Sequence, residues 1–255
     1  MKAAALLAAL LVLAAGRPSA RADDADPFVA RGREVYIREG CIHCHSQYVR
    51  PHVAADVERW GPASDLGQLL AERPPLPGNR RQGPDLARVG NRRSAEWNRL
   101  HLAAPRAVSP GSRMPGYAHL FDGTDASDGE ALVAYLASLG ADTIPARLTA
   151  VAAWRPAADA VADPVRARRL FQQLCTPCHG EAGRGDGPLA ARLSVRPPDW
   201  PAQGWRHVAA AADVELALAR IVKFGLPGSP MAGHEYLPDA DVLGLARVVR
   251  SWQKP

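Results

Sequence analysis

The chain has 255 residues, of which 31 are Lys or Arg and 26 are Asp or Glu. Three of the cationic residues lie within the first 22 positions, which leaves 28 cationic side chains against 26 acidic ones over the rest of the chain. The formal net charge is +5, but this near-equality of positive and negative side chains argues against a nucleic-acid-binding protein. The length suits one large domain or two small ones.

The N-terminus is typical of an export signal. Lys2 precedes an apolar run from Ala3 to Ala15, and Ala20-Arg21-Ala22 has the small-residue pattern of a cleavage site. A membrane anchor is the alternative, but a membrane-spanning helix needs about 20 apolar residues, and this run is shorter. We therefore expect residues 1–22 to be a signal peptide that directs the protein to the periplasm of a Gram-negative bacterium. An uncleaved segment would instead anchor it to the inner membrane.

One pattern of elements then occurs twice. Each copy has an amphipathic helix, a Cys-x-x-Cys-His motif, a Pro-rich loop, a lone methionine and a closing helix. We predict a first domain over residues 23–140, an Ala/Pro-rich linker over 141–162 and a second domain over 163–255. Trp154 in the linker is expected to pack against one domain. Because no stretch alternates like a strand, the predicted fold is all-α, with two domains in tandem.

Apolar periodicity and capping residues predict two helices in each copy. The first copy has helices over Pro27–Glu39 and Asp128–Leu139, the second of them with Asp128 as a possible N-cap. In the second copy, a helix begins after the cap residue Asp163, and another extends from Asp239 to Trp252.

All four cysteines belong to two motifs of equal spacing, Cys41-Ile42-His43-Cys44-His45 and Cys175-Thr176-Pro177-Cys178-His179. Such a motif attaches haem c: the two thiols add to the haem vinyl groups, and the adjacent histidine becomes the proximal iron ligand. A redox-active dithiol or half of a zinc site are the alternatives. The histidine after both pairs favours haem. We predict two covalently bound haem c groups, each enclosed by a cytochrome c-like domain.

The sixth iron ligands are predicted from the remaining methionines. After the initiator, the chain has only Met114 and Met231, one in each copy, and both lie in Pro-containing loops after their histidines. Methionine ligation favours electron transfer over catalysis. The alternative ligands are His101 or His119 for the first haem and His234 for the second.

Two loops between histidine and methionine could supply a supporting contact. Pro84 in the first copy and Pro197 in the second could accept, through their carbonyls, the proton on the free nitrogen of the motif histidine. The alternative is that both loops are only turns. Three arginines could pair with haem propionates, although most arginines should lie on the surface: Arg50, Arg81 and Arg88.

Both copies resemble known cytochromes. The second is similar to class I cytochromes c in Gly185-Asp186-Gly187-Pro188, Arg196-Pro197-Pro198-Asp199-Trp200 and Gly225-Leu226-Pro227-Gly228-Ser229-Pro230-Met231. Between Tyr36 and Phe121, the first resembles the mono-haem subunit of cbb-type haem–copper oxidases. The motifs that carry this resemblance are Cys44-His45-Ser46-Gln47, Val49-Arg50-Pro51, Glu58-Arg59-Trp60-Gly61, Arg81-Gln82-Gly83-Pro84-Asp85-Leu86, Trp97-Asn98-Arg99-Leu100-His101-Leu102 and Met114-Pro115-Gly116-Tyr117.

The resemblance of the first copy to the oxidase subunit implies haem ligation by His45 and Met114 and a role in passing electrons toward an oxidase. The chain departs from that family in two respects. The family subunit has an N-terminal membrane helix where a signal peptide is expected here, and it lacks a fused second cytochrome domain.

The expected function is one-electron transfer without independent catalysis. The protein would be a donor to, or a subunit of, a membrane haem–copper oxidase or a related respiratory complex. A free periplasmic shuttle that serves a dehydrogenase is one alternative. A di-haem enzyme such as a peroxidase is another, but it needs an open iron or an unusual ligand, and no spare cysteine exists.

Overall fold

The computed structural model describes residues 26–208 and 210–252. Within these ranges, β pairing is limited to one isolated bridge between Gly225 and Ala232, so the predicted all-α fold is confirmed. The helices are α1 Pro27–Arg38, α2 Ala54–Trp60, α3 Leu66–Ala71, α4 Ala95–Ala103, α5 Pro105–Val108, α6 Asp128–Ser138, α7 Ile144–Ala153, α8 Pro164–Leu174, α9 Thr176–His179, α10 Trp200–Gln203, α11 Val214–Phe224 and α12 Asp239–Arg250. Short 3₁₀ turns cover Cys41–His43, Val89–Asn91, Ala118–Leu120, Ala141–Thr143 and Ala190–Arg192.

The first domain is built on the crossing of α1 and α6. Gly32 makes this crossing possible, since a Cβ there would lie 2.0 Å from the carbonyl oxygen of Ala131. Tyr36 and Tyr135 meet edge to face beside the crossing, with ring centroids 5.7 Å apart, and both are fully buried. The two helices therefore approach closely enough to share one apolar core with the first cysteine motif.

The cap of α6 differs from the expectation. Ser127, rather than Asp128, is the N-cap, and its hydroxyl accepts a hydrogen bond from the backbone of Glu130 at 3.2 Å. The Asp128 carboxylate instead pairs with Arg31 and Arg38 on α1, at 2.5 Å each. A serine at the N-cap leaves the following aspartate free to join the two helices.

The second domain packs α12 against α8 and α11. Asp163 caps α8 by accepting from the backbone N–H groups of Val165 and Arg166. The core between these helices is apolar and includes Phe171, Val242, Leu245, Ala246 and Val249. Helix α12 ends at Arg250, two residues before the expected Trp252.

The segment expected to be a linker contains a 3₁₀ turn and helix α7. Pro145 lies in the first turn of α7, where its missing N–H costs nothing. After α7, Trp154 packs edge to face on Phe224 of α11, with ring centroids 5.4 Å apart. Arg220 reinforces this contact by donating to the carbonyl oxygen of Ala152 at 2.5 Å. The segment is thus attached to the second domain.

No helix in the described part of the chain is long and apolar enough to cross a membrane. The predicted signal peptide, residues 1–22, lies outside the described residues.

Candidate haem-binding sites

The first motif follows α1 directly. Gly40, with a φ of 71°, turns the chain from the helix into the 3₁₀ turn Cys41–His43. The backbone N–H of His45 then donates to the carbonyl oxygen of Cys41 at 2.9 Å, which compacts the motif. Cys41 and Cys44 are both free thiols. Burial, with the nearby Glu39 carboxylate, raises the pKa of Cys41 to about 12, opposite to the lowered pKa of a reactive dithiol.

The structure brings His45 and Pro84 together. Nδ1 of His45 lies 2.9 Å from the carbonyl oxygen of Pro84, which can only accept, so Nδ1 carries the proton and Nε2 is left with its lone pair. Gly83 permits this approach, since a Cβ there would lie 2.2 Å from the imidazole Cε1. Burial lowers the pKa of His45, opposed only in part by Pro84 and Asp85, so the ring is the neutral form that binds metals.

Asp85 holds the Pro84 loop in place, a role that sequence reasoning missed. Its buried carboxylate accepts from the Ser46 hydroxyl, from the backbone of Tyr48 at 3.0 Å and from the backbone of Ala87 at 2.9 Å. These bonds join the residues after the motif histidine to the loop that contacts that histidine. The dipeptide Pro84-Asp85 directly after Gly83 is the signal that could have indicated it.

The two methionines lie in loops of the same local geometry. The backbone N–H of Met114 donates to the Ser112 hydroxyl at 3.2 Å, and that of Met231 donates to the Ser229 hydroxyl at 3.2 Å. Met114 is partly buried and packs against the first core. The shared Ser-x-Met pattern is visible in the sequence, although its role was not predicted.

The three alternative ligands differ in their surroundings. His119 is exposed, and its Nε2 lies 3.4 Å from a carboxylate oxygen of Glu39, which places it on the surface. His101 stacks on Trp97 with centroids 4.5 Å apart, and burial, then the nearby His45, lower its pKa to about 4. Burial also lowers the pKa of His234 to about 4. Both partly buried rings are therefore neutral.

The second motif is held differently from the first. His179 stacks on Trp200 with ring centroids 4.3 Å apart and planes 18° apart. Burial, with His234 nearby, lowers its pKa to about 4. Cys175 and Cys178 are free thiols, and burial raises the pKa of Cys175 to about 12. Each thiol pair adjoins its own core, so the two pairs are not brought together as a shared zinc site would need.

The predicted contact between His179 and Pro197 is not formed. Nδ1 of His179 is buried without a hydrogen-bond partner among the described residues. The carbonyl oxygen of Pro197 faces Gly185 instead, where a Cβ would lie only 2.1 Å from it. The loop that closes on the second motif contains Leu189, whose backbone N–H donates to the Pro177 carbonyl at 2.8 Å. Leu189 follows a Gly-Pro pair, as Asp85 does in the first domain.

The three candidate propionate arginines have partners within the protein. Arg50 and Arg81 converge on the carboxylate of Asp56, with nitrogen–oxygen distances of 2.6 and 3.2 Å. Arg88 donates to the carbonyl oxygen of Pro62 at 2.7 Å. They stabilise the loops beside the first motif.

These residues fit haem c. Each motif supplies two free thiols and one neutral imidazole, and in the first site the Nδ1 proton is already bound by a carbonyl so that Nε2 is oriented for a metal. In the second site, Nδ1 of His179 is a buried polar atom without a hydrogen-bond partner among the described residues, and the imidazole plane is set by its stacking on Trp200. The fold and the two sites define a pair of c-type cytochrome domains.

Comparison with known families agrees with this class. Residues 9–142 match the family described as "Cytochrome C oxidase, mono-heme subunit/FixO", and residues 162–247 match "Cytochrome C oxidase, cbb3-type, subunit III". Since the first match covers more than half of the sequence, the chain belongs to the family of mono-haem cytochrome c oxidase subunits. Its domains are of the kind that bind haem c and transfer electrons.

Other comparisons add less. No curated protein matches the sequence. Among solved structures, the chain is similar to one chain of the reducing HAO-like protein complex of Kuenenia stuttgartiensis, with 18% identity, coverage of 88% of this chain and 96% of that chain, and a TM-score of 0.34.

Proposed function

We propose that the protein carries electrons one at a time through two covalently attached haems, as a donor to or a subunit of a membrane haem–copper oxidase. The observation that supports this is that the chain contains matches to two families, and both families are components of one kind of oxidase. A bound haem supplies the iron that takes up and releases the electron.

The chain's own residues would attach, orient and enclose each haem. In our proposal, Cys41 and Cys44 form the thioether links of the first site and His45 is its proximal ligand. The Pro84 carbonyl keeps the imidazole in one tautomer and makes Nε2 more basic. Met114 would supply a thioether ligand, which favours the ferrous state of the iron.

The second site would use the same residue types. Cys175 and Cys178 would attach the haem, and His179 and Met231 would be the residues that bind its iron. The Trp200 ring fixes the plane of the His179 imidazole. Two protein ligands for each iron would suit electron transfer, whereas peroxidase chemistry requires an iron with an open position.

The proposal is tested by supplying the reduced di-haem protein to membranes that contain a cbb-type oxidase. We expect both haems to be oxidised with consumption of oxygen, and cyanide to stop the reaction. Membranes from a strain without that oxidase are the matched control. Oxidation that is equally fast in the control, or electron entry only from a dehydrogenase, would favour the free shuttle instead.

We also propose that the protein is exported and that residues 1–22 are removed. N-terminal sequencing of the protein from the periplasmic fraction should give a start at about Asp23. Recovery only in detergent with Lys2 retained would establish a membrane anchor.

A further inference from the structure

A buried ion cluster joins the two domains. The Glu235 side chain, only 4% exposed, receives two hydrogen bonds from Arg93, at 3.1 Å to Oε1 and 2.9 Å to Oε2. Arg147 of α7 donates to Oε1 at 2.9 Å. The contact between Arg93 and Glu235 spans 142 residues of sequence and connects the first domain to the second.

The cluster is ionised. Burial alone would raise the pKa of Glu235, but the positive charges of Arg93, Arg92 and Arg147 outweigh it and lower that pKa to about 2. A carboxylate held by two arginines in a buried position is sensitive to the loss of any partner, since an unpaired charge would remain out of water. The pairing therefore imposes one docking arrangement on the domains.

Two adjacent arginines reach toward the two haem-binding sites. Arg92, itself buried, donates to the carbonyl oxygen of Asp85 at 2.5 Å, in the loop that contacts His45. Arg93 donates to the carbonyl oxygen of Gly233 at 2.9 Å, two residues after Met231. A single dipeptide thus contacts the proximal histidine loop of the first site and the methionine loop of the second.

The loop that carries Met231, residues 225–233, is held together by its own backbone hydrogen bonds, so a contact at Gly233 also positions Met231. The backbone N–H of Leu226 donates to the carbonyl oxygen of Met231 at 3.0 Å, and Gly225 bridges to Ala232. Gly233 packs directly on the end of α11, where a Cβ would lie 2.4 Å from the Phe224 backbone. The position of Gly233 therefore defines the position of the loop.

A second contact opposes rotation of one domain about the cluster. The Glu96 carboxylate of α4 accepts from the backbone and the hydroxyl of Ser194, at 2.6 and 2.7 Å. Two separate points of contact between rigid bodies restrict their relative orientation as well as their separation.

We propose that Arg92, Arg93 and Glu235 are positioning residues that hold the two haem-binding sites in one fixed relative arrangement, so that the two haems exchange electrons within one chain. This inference rests on the proposed function, because it needs both haems. Electron tunnelling weakens steeply with distance, and a fixed arrangement is therefore what fast exchange requires.

The test uses the full-length di-haem protein and the variants Glu235→Gln and Arg93→Gln, which remove the pair from opposite domains. Glu215→Gln is the matched control, because Glu215 also pairs with two arginines, Arg247 and Arg250 at 2.9 and 2.8 Å, but within the second domain. Pulsed EPR on the ferric protein measures the distribution of iron–iron distances. Injection of a single electron by pulse radiolysis measures the rate of equilibration between the haems.

We expect a narrow distance distribution in the wild type and in Glu215→Gln. Both interface variants should broaden it and slow equilibration at least ten-fold, and their effects should be less than additive in the double variant, because both break the pair between Arg93 and Glu235. An unchanged distribution in Glu235→Gln and Arg93→Gln would overturn the inference. Such a result with two intact haem spectra and normal oxidation by oxidase membranes would leave the proposed function standing, whereas a missing haem would count against that function itself.

Discussion

In the first domain the motif histidine donates to a backbone carbonyl, whereas in the second it stacks on a tryptophan ring. A carbonyl partner selects the tautomer and strengthens the basicity of the other nitrogen, while a stacked ring restrains only the plane of the imidazole. Trp200 is itself supported by Phe171 and Trp252. The five-residue motif is the same in both domains, but the surrounding fold determines how its histidine is oriented.

The two domains also differ in the glycine that allows their helices to cross closely. In the first domain the crossing depends on Gly32 of α1, which faces the backbone of α6. In the second it depends on Gly244 of α12, where a Cβ would lie 2.8 Å from the Ala167 Cβ of α8. The glycine is therefore on the first helix of one domain and on the last helix of the other. Only at the first crossing would an added Cβ overlap backbone atoms, since the nearest backbone atom at Gly244 is 3.8 Å away.

The largest expected effect is the loss of one haem. Replacement of both Cys175 and Cys178 by alanine should leave a protein with a single covalent haem, held by Cys41 and Cys44, because each motif acts on its own. Mass spectrometry after acid-acetone extraction distinguishes one haem addition from two. Two additions in the variant would contradict the assignment of the second motif.

The next effect concerns the crossings. Gly32→Ala should destabilise the first domain by about 3 kcal/mol, since the new Cβ overlaps a backbone carbonyl that cannot rotate away. Gly244→Ala should cost less, about 1 to 2 kcal/mol, because the new Cβ meets the Ala167 Cβ at 2.8 Å, so α8 and α12 must separate slightly, and the better helix propensity of alanine offsets part of this cost. Hydrogen exchange of amides in α1 and α8 reports each domain separately. Equal protection losses in both variants would show that the two crossings are equivalent.

Loss of either methionine should change one haem and spare the other. Met114→Ala and Met231→Ala should each lower the potential of their own haem by on the order of 0.1 V, within the range of about 0.8 V over which axial ligands tune haem. Redox titration and the near-infrared sulfur-to-iron band measure this. If Met114→Ala leaves the first haem unchanged, His101 becomes the better candidate ligand. If Met231→Ala leaves the second haem unchanged, His234 becomes the better candidate there.

The smallest expected effect tests whether the two methionine loops are equivalent. Ser112→Ala and Ser229→Ala each remove a hydroxyl that accepts from the methionine N–H at 3.2 Å, which should cost about 1 kcal/mol of loop stability. Both should make their methionine easier to displace by imidazole. Ser138→Ala, which removes a hydroxyl bonded to the Tyr135 carbonyl, is the control. A response in one loop alone would show that the second haem-binding site differs in its methionine as well as in its histidine.

Local signals predicted four of the helices in the described part of the chain, α1, α6, α8 and α12, and placed their predicted ends within two residues. Apolar spacing and the cap residue Asp163 are encoded within a few residues, so sequence alone suffices for them. The Pro197 contact was wrong because two Gly/Pro-rich loops follow the second motif, and which one closes on it is decided by tertiary packing. The cluster around Glu235 was not predictable at all, since its arginines are remote in sequence and resemble the surface arginines elsewhere in the chain.

Helix α7 was missed for a different reason. Its alanine- and proline-containing sequence favours a linker, although Ile144, Leu148 and Val151 recur at the spacing of one helix face. In the structure, α7 is supported by contacts with α11 and by the hydrogen bond from Arg220 to the Ala152 carbonyl. Alanine favours helix intrinsically, so composition could have suggested it.

The position of helix α7 also determines how much the peptide link between the two domains contributes to their docking. Because α7 packs on α11 and carries Arg147 into the cluster at Glu235, a cut in the turn Ala141–Thr143 would leave it with the second domain and would preserve the ion pair between Arg93 and Glu235 across the interface. The peptide connection then acts chiefly by setting an effective concentration, which for a short link is in the millimolar range. Two such domains encoded as separate chains would retain the same docking surface, with an association that depends on their concentration.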